Sequence, residues 1–140
     1  MDHLMDSTDP KLVLLELDTF WALRGGEDPL SLIDRYAGRI RLIHQKDFVK
    51  NCPHPANLFG YRFREDAPLT MADYIVGELD AYAELGQGCM DLAKIVGRAS
   101  GAGAEYLILD QDYSRIGEFP SIRVSVEALR RCRGLEWQPA

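Results

Sequence analysis

The chain has 140 residues, 46% of them hydrophobic and 27% charged, with a formal net charge of −6. Such a composition belongs to one globular domain with a sizeable core, which needs neither a metal nor a disulfide to fold. The acidic balance disfavours a nucleic-acid or anionic-membrane partner, and no run approaches the roughly 18 apolar residues of a membrane span.

The N-terminus, Met1 to Lys11, is acidic and has no basic segment before an apolar stretch, unlike a secretory signal. Cys52, Cys89 and Cys132 are scattered and form no CxxC pair. Idle thiols in a cytoplasmic protein are the expectation. The run Leu12 to Asp18 predicts a buried strand. The Gly25-Gly26 turn follows, and Asp28-Pro29 opens a helix to about Ala37, which Gly38 stops. A second strand covers Ile40 to His44. The long connection from about Val49 to Gln87 carries His54 between two prolines and a possible short helix around Met71 to Tyr74. Its close, Gly86-Gln87-Gly88, lacks the residues of a phosphate loop and predicts a tight turn. A helix over about Asp91 to Ser100, a strand over Tyr106 to Asp110 and a helix over about Ser121 to Arg131 complete the pattern. The tail from Glu136 reads as frayed.

Alternating strands and helices predict a parallel sheet with right-handed crossovers, whose chemistry gathers at the C-terminal strand ends. Those ends carry Asp18, His44 and Asp110. Neighbouring parallel strands lie about 4.8 Å apart, so three such residues can converge on one point. Two carboxylates and an imidazole suit a divalent ion such as Mn²⁺, Mg²⁺, Co²⁺ or Zn²⁺. The competing reading is that polar residues end strands because loops begin there. Lys46 shares a strand face with His44, and either meets a substrate or forms an ion pair with Asp47 or another neighbour. Glu16 lies one layer below Asp18 and either orients a ligating residue or serves as a structural carboxylate, and Asp47 is expected to orient a ligating residue. Trp21 either walls a sugar pocket or packs against its loop. His54 and His3 are weak candidates, as loop and terminal residues.

The residues Leu15-Glu16-Leu17-Asp18-Thr19-Phe20-Trp21, Gly25 to Pro29, His44-Gln45-Lys46-Asp47, Glu84 to Asp91 and Glu105 to Asp112 together resemble the sugar phosphate isomerase/epimerase family. Its fold is a xylose-isomerase-like TIM barrel. The resemblance implies the C-terminal part of a (β/α)8 barrel, about three βα units in a single partial domain over 1–140. It places a divalent metal at the barrel mouth, with Asp18, His44 and Asp110 as ligands and Asp110 also moving a proton. Asp110 stands, one methylene shorter, where the family carries a glutamate. Lys50 stands where related epimerases place an arginine that binds substrate, and Trp21 where they place a histidine.

The implied reaction is proton transfer beside a carbonyl through a metal-stabilised enediolate, on a sugar, sugar phosphate or polyol. An inosose-dehydratase-like lyase and a non-catalytic relative or fragment are the alternatives. An abasic-site endonuclease of the same superfamily is disfavoured by the acidic charge. A full barrel takes about 250 residues, so a truncated chain with open sheet edges, and pairing with another copy, is expected.

Overall fold

The protein is described by a computed structural model over residues 1–52, 56–60 and 79–137. His54 and the short helix expected around Met71 to Tyr74 lie outside the described residues.

After a one-turn helix α1 (Asp2–Asp6), three strands form a parallel sheet in the order β1 (Leu15–Asp18), β2 (Ile40–Gln45) and β5 (Tyr106–Leu109). This is the parallel α/β arrangement that the alternation predicts, though β1 is three residues shorter at its start. The register sets Asp18 opposite His44, His44 opposite Ile108 and Gln45 opposite Leu109. Asp110 therefore follows the last paired residue of β5. Because strand faces alternate, Leu17 and Ile43 point to the helical layer while Glu16, Asp18 and His44 point the other way.

The helical layer is made by α3 (Pro29–Arg35), α4 (Leu92–Gly101) and α5 (Glu118–Arg130). The Asp28 carboxylate caps α3 by accepting from the Leu30 and Ser31 amides, and Pro29 fills the first turn, where no amide is needed. Asp91 caps α4, whose Leu92, Ile95, Val96 and Ala99 recur at helical spacing and are buried. Ile33, Ile40, Ile43, Ile95 and Leu17 form the main core between sheet and helices. In α5 the buried stripe is Ser121, Ser125 and Leu129, and Ser125 Oγ accepts from the Leu85 amide at 3.1 Å.

Two elements were not anticipated. Helix α2 (Thr19–Arg24) starts directly after β1, and a small antiparallel pair joins β3 (Asp47–Phe48) to β4 (Tyr82–Ala83). Together they enclose a separate apolar cluster of Phe20, Phe48 and Ala81 beside the strand ends. Tyr82 stacks on Phe20 with ring centroids 4.7 Å apart. At the opposite end of the sheet, the Arg39 guanidinium bonds the Met5 and Val13 carbonyls and ties the N-terminal segment down.

Candidate functional site

The three strand-end residues meet. His44 Nε2 lies 3.0 Å from Asp110 Oδ2, while Nδ1 lies 3.4 Å from Glu16 Oε1 and 3.5 Å from Asp18 Oδ2. The imidazole thus stands between acids on the strands at either side. Glu16 does reach His44, the orienting contact open to it from the sequence.

Lys46 occupies the centre of the constellation. Its side chain is only 4% exposed, and Nζ stands 3.0 Å from Asp18 Oδ2, 3.0 Å from Asp110 Oδ2 and 3.4 Å from Asp112 Oδ2. Its ion pairs are with these three acids and not with Asp47. Burial works against the charged amine, but the Asp18 and Asp110 carboxylates outweigh it and hold the ammonium above its ordinary pKa. Burial likewise opposes charge on Asp110, yet the Lys46 ammonium holds that carboxyl below the usual carboxylate range. Asp112, two residues beyond the acid at the end of the third parallel strand, belongs to the site as well. So does Tyr82: burial, together with the neighbouring Asp112 charge, pushes its phenol far above the usual range and keeps it neutral.

Each carboxylate oxygen of Asp18 and Asp110 has a partner. Asp18 Oδ1 accepts from the Trp21 amide at 2.9 Å as the cap of α2, and Asp110 Oδ1 accepts from the Gln111 amide at 2.8 Å. Their Oδ2 atoms both hold Lys46. A divalent ion held by these carboxylates would share them with the Lys46 ammonium, and like charges so close repel. Among the described residues, no group of three His, Cys, Asp or Glu side chains stands ready to hold a metal ion. The divalent ion expected on Asp18, His44 and Asp110 does not fit the arrangement as it stands, because an internal cation has its place.

The remaining expectations divide. Asp47 turns away from the site and is buried; its Oδ2 accepts from the Gly86 and Gly88 amides, and its Oδ1 from those of Phe48 and Met90. It orients no ligating side chain and instead fixes the backbone of the Gly86-Gln87-Gly88 turn. Trp21 packs edge-on against Phe20, at 5.3 Å and 87°, with the apolar cluster. Lys50 is exposed and makes no ion pair with the site's acids. A cleft of about 630 Å³ between β5, α4 and the C-terminal segment is lined by Val96, Leu107, Leu129 and Trp137, on the helical side, remote from these groups. No helix among the described residues is long and apolar enough to cross a membrane.

No protein-family profile matches the chain. Over 47 residues, 34% of the chain, it is 55% identical to an inosose dehydratase of Geobacillus kaustophilus (strain HTA426) and 49% identical to one of Lacticaseibacillus casei. The matched segments cover only 15% and 16% of those proteins. Two solved structures of sugar phosphate isomerase/epimerase from Parabacteroides distasonis ATCC 8503 superpose on 96% of the chain with TM-score 0.62, at 18% and 20% identity. The chain spans 37% and 36% of their lengths. The motif resemblance and the superposition agree, and these residues fold as part of the TIM barrel of the sugar phosphate isomerase/epimerase proteins, over about a third of its length.

Proposed function

We propose that the strand ends of this chain form part of an active site that moves a proton beside the carbonyl of a sugar, sugar phosphate or polyol. The observation that carries this reading is the convergence of Asp18, His44 and Asp110, from three adjacent parallel strands, on one point where Asp110 remains 38% exposed. An ionised carboxylate open to solvent on one side and held by His44 on the other is placed as a general base. Its lowered pKa keeps it ionised at neutral pH.

In the proposed step, Asp110 takes the proton from the carbon next to the carbonyl. The C–H electron pair becomes the C=C bond, and the carbonyl oxygen takes up the negative charge. Delivery of the proton to the former carbonyl carbon, with the neighbouring hydroxyl proton passing to the first oxygen, gives an isomerase. Delivery of a proton to the original carbon from its opposite face, by a second acid, gives an epimerase. Loss of an adjacent hydroxide with that proton, as water, gives a dehydratase. The local identity to proteins named inosose dehydratase favours an inosose as the first substrate to try.

Transfer of deuterium from D₂O into the position beside the carbonyl of an inosose or a ketose, followed by NMR, reads the first step without depending on the outcome of the second. The protein should catalyse this exchange, and Asp110→Asn should slow it about 100-fold or more, the range for a general base starting there. Equal exchange in the variant would remove Asp110 from the reaction. Appearance of a dehydrated, conjugated product would select the dehydratase branch.

A further inference from the structure

We propose that Lys46 is the resident cation of this site, standing where a divalent ion would otherwise hold the strand-end carboxylates, and that its ammonium is the group that meets the substrate's carbonyl oxygen. The catalytic half of the proposal rests on the reading above; the half concerning charge at the site does not.

Three observations support it. The ammonium has three N–H donors and no acceptor, and three carboxylates stand around it: Asp18 and Asp110 at 3.0 Å and Asp112 at 3.4 Å. Lysine is therefore fully engaged as a three-way bridge between β1, the end of β5 and the loop beyond it. Second, the residue is fixed from behind. The next residue, Asp47, is clamped by four backbone amides, and β3 pairs with β4, so the Lys46 main chain has little freedom to carry the ammonium away. Third, the three bonds are unequal. Asp112 is the longest and most exposed partner, at 42% against 20% for Asp18. A substrate oxygen can take the place of Asp112 beside the ammonium while Asp18 and Asp110 keep it in position. As Asp110 removes the neighbouring proton, the charge growing on that oxygen then faces a positive hydrogen-bond donor already in place, with no covalent change at Lys46.

The test is a titration with Mn²⁺ alone, following the free-ion EPR signal, on the wild-type protein and on Lys46→Met, Lys46→Gln and Lys46→Arg. The wild type and Lys46→Arg should leave Mn²⁺ free up to about millimolar concentration. Lys46→Met or Lys46→Gln should bind it at least about tenfold more tightly, about 1.4 kcal/mol, and Asp18→Asn in the same chain should abolish that gain. Two neutral replacements are used so that one that fails to fold does not decide the matter. Tight Mn²⁺ binding by the wild type that Asp18→Asn or His44→Ala removes would overturn the proposal. So would the absence of any gain in both folded neutral variants. For the catalytic half, deuterium exchange should persist within about twofold under a chelator and be lost in Lys46→Gln. Exchange that stops on chelation counts against Lys46, whereas a protein that catalyses no exchange at all refutes the functional reading and leaves the Mn²⁺ result to stand by itself.

Discussion

Lys46 and Asp47 are consecutive residues, each carries a full charge, and they are exposed by only 3% and 1%. Strand alternation sends them to opposite faces, and the two faces satisfy a buried charge in different ways. On the inner face the lysine is held by carboxylate side chains from three places in the chain, each of which keeps some contact with water. On the other face the aspartate is held by backbone amides of Phe48, Gly86, Gly88 and Met90. Side-chain partners can rotate, exchange a bond for a substrate oxygen and reform it. Backbone donors cannot leave without unfolding their turn. The same local problem is solved once in a form suited to chemistry and once in a form suited to construction.

This contrast is broken first by attacking the construction. Asp47→Ala removes the acceptor of four amides, of which those of Phe48 and Gly88 are buried, and each buried orphan costs roughly 1–3 kcal/mol. The variant should lose on the order of 4 kcal/mol or more in urea unfolding and release the Gly86-Gln87-Gly88 turn. Gly88→Ala should act almost as strongly without touching a charge, because a Cβ there runs into the Asp47 carboxylate and the Phe48 carbonyl oxygen. A Gly88→Ala protein of wild-type stability would show that the cradle is looser than its bond lengths indicate.

Lys46→Met should cost less, about 2 kcal/mol. Breaking a fully buried pair costs about 3–5 kcal/mol, but Asp18, Asp110 and Asp112 are 20–42% exposed and water can take over part of their solvation. Urea unfolding of the two variants side by side ranks the faces directly. A Lys46→Met loss exceeding that of Asp47→Ala would invert the comparison and make the inner cluster the structural element.

Much of this was written in local sequence. The strand ends Asp18, His44 and Asp110 were legible because short apolar runs stop at polar residues with a regular rhythm, and the parallel order of β1, β2 and β5 followed from the helices between them. Lys46 was legible only as a direction. Period-two alternation places it beside His44, but which acid it meets depends on where Asp112 is carried by the loop after β5, a contact 66 residues away in the chain. Asp47 was misread for the same reason, since its partners are backbone amides and amides leave no trace in residue identity. Helix α2 was the avoidable omission. Thr19, Phe20 and Trp21 have strand-like propensity, yet Asp18 three residues before Trp21 is an N-cap signal, and its Oδ1 does accept from the Trp21 amide.

The smallest effect isolates burial from bonding. Asp28, like Asp47, accepts backbone amides, those of Leu30 and Ser31, but it is exposed. The Ser31 hydroxyl and these amides hold its carboxyl below the usual range, against a slight opposing effect of burial. For Asp47 burial is the larger influence and pushes the carboxyl up despite four amides pulling it down. Linkage gives the two opposite signs. The stability contributed by Asp28 is fully present above its unfolded pKa of about 3.9 and is lost as the pH falls through the lower folded value. For Asp47 the folded state binds the proton more tightly, so its contribution declines as the pH rises from about 3.9 towards the raised folded value. Asp28→Ala should therefore cost about 1 kcal/mol at neutral pH, a normal cap, with the difference from wild type vanishing on acidification. Asp47→Asn, compared with wild type over the same range by thermal melting, should show the reverse slope. Parallel pH profiles for the two variants would mean that solvent reaches Asp47 as freely as it reaches Asp28, and the distinction between the two carboxylates would then rest on bonding alone.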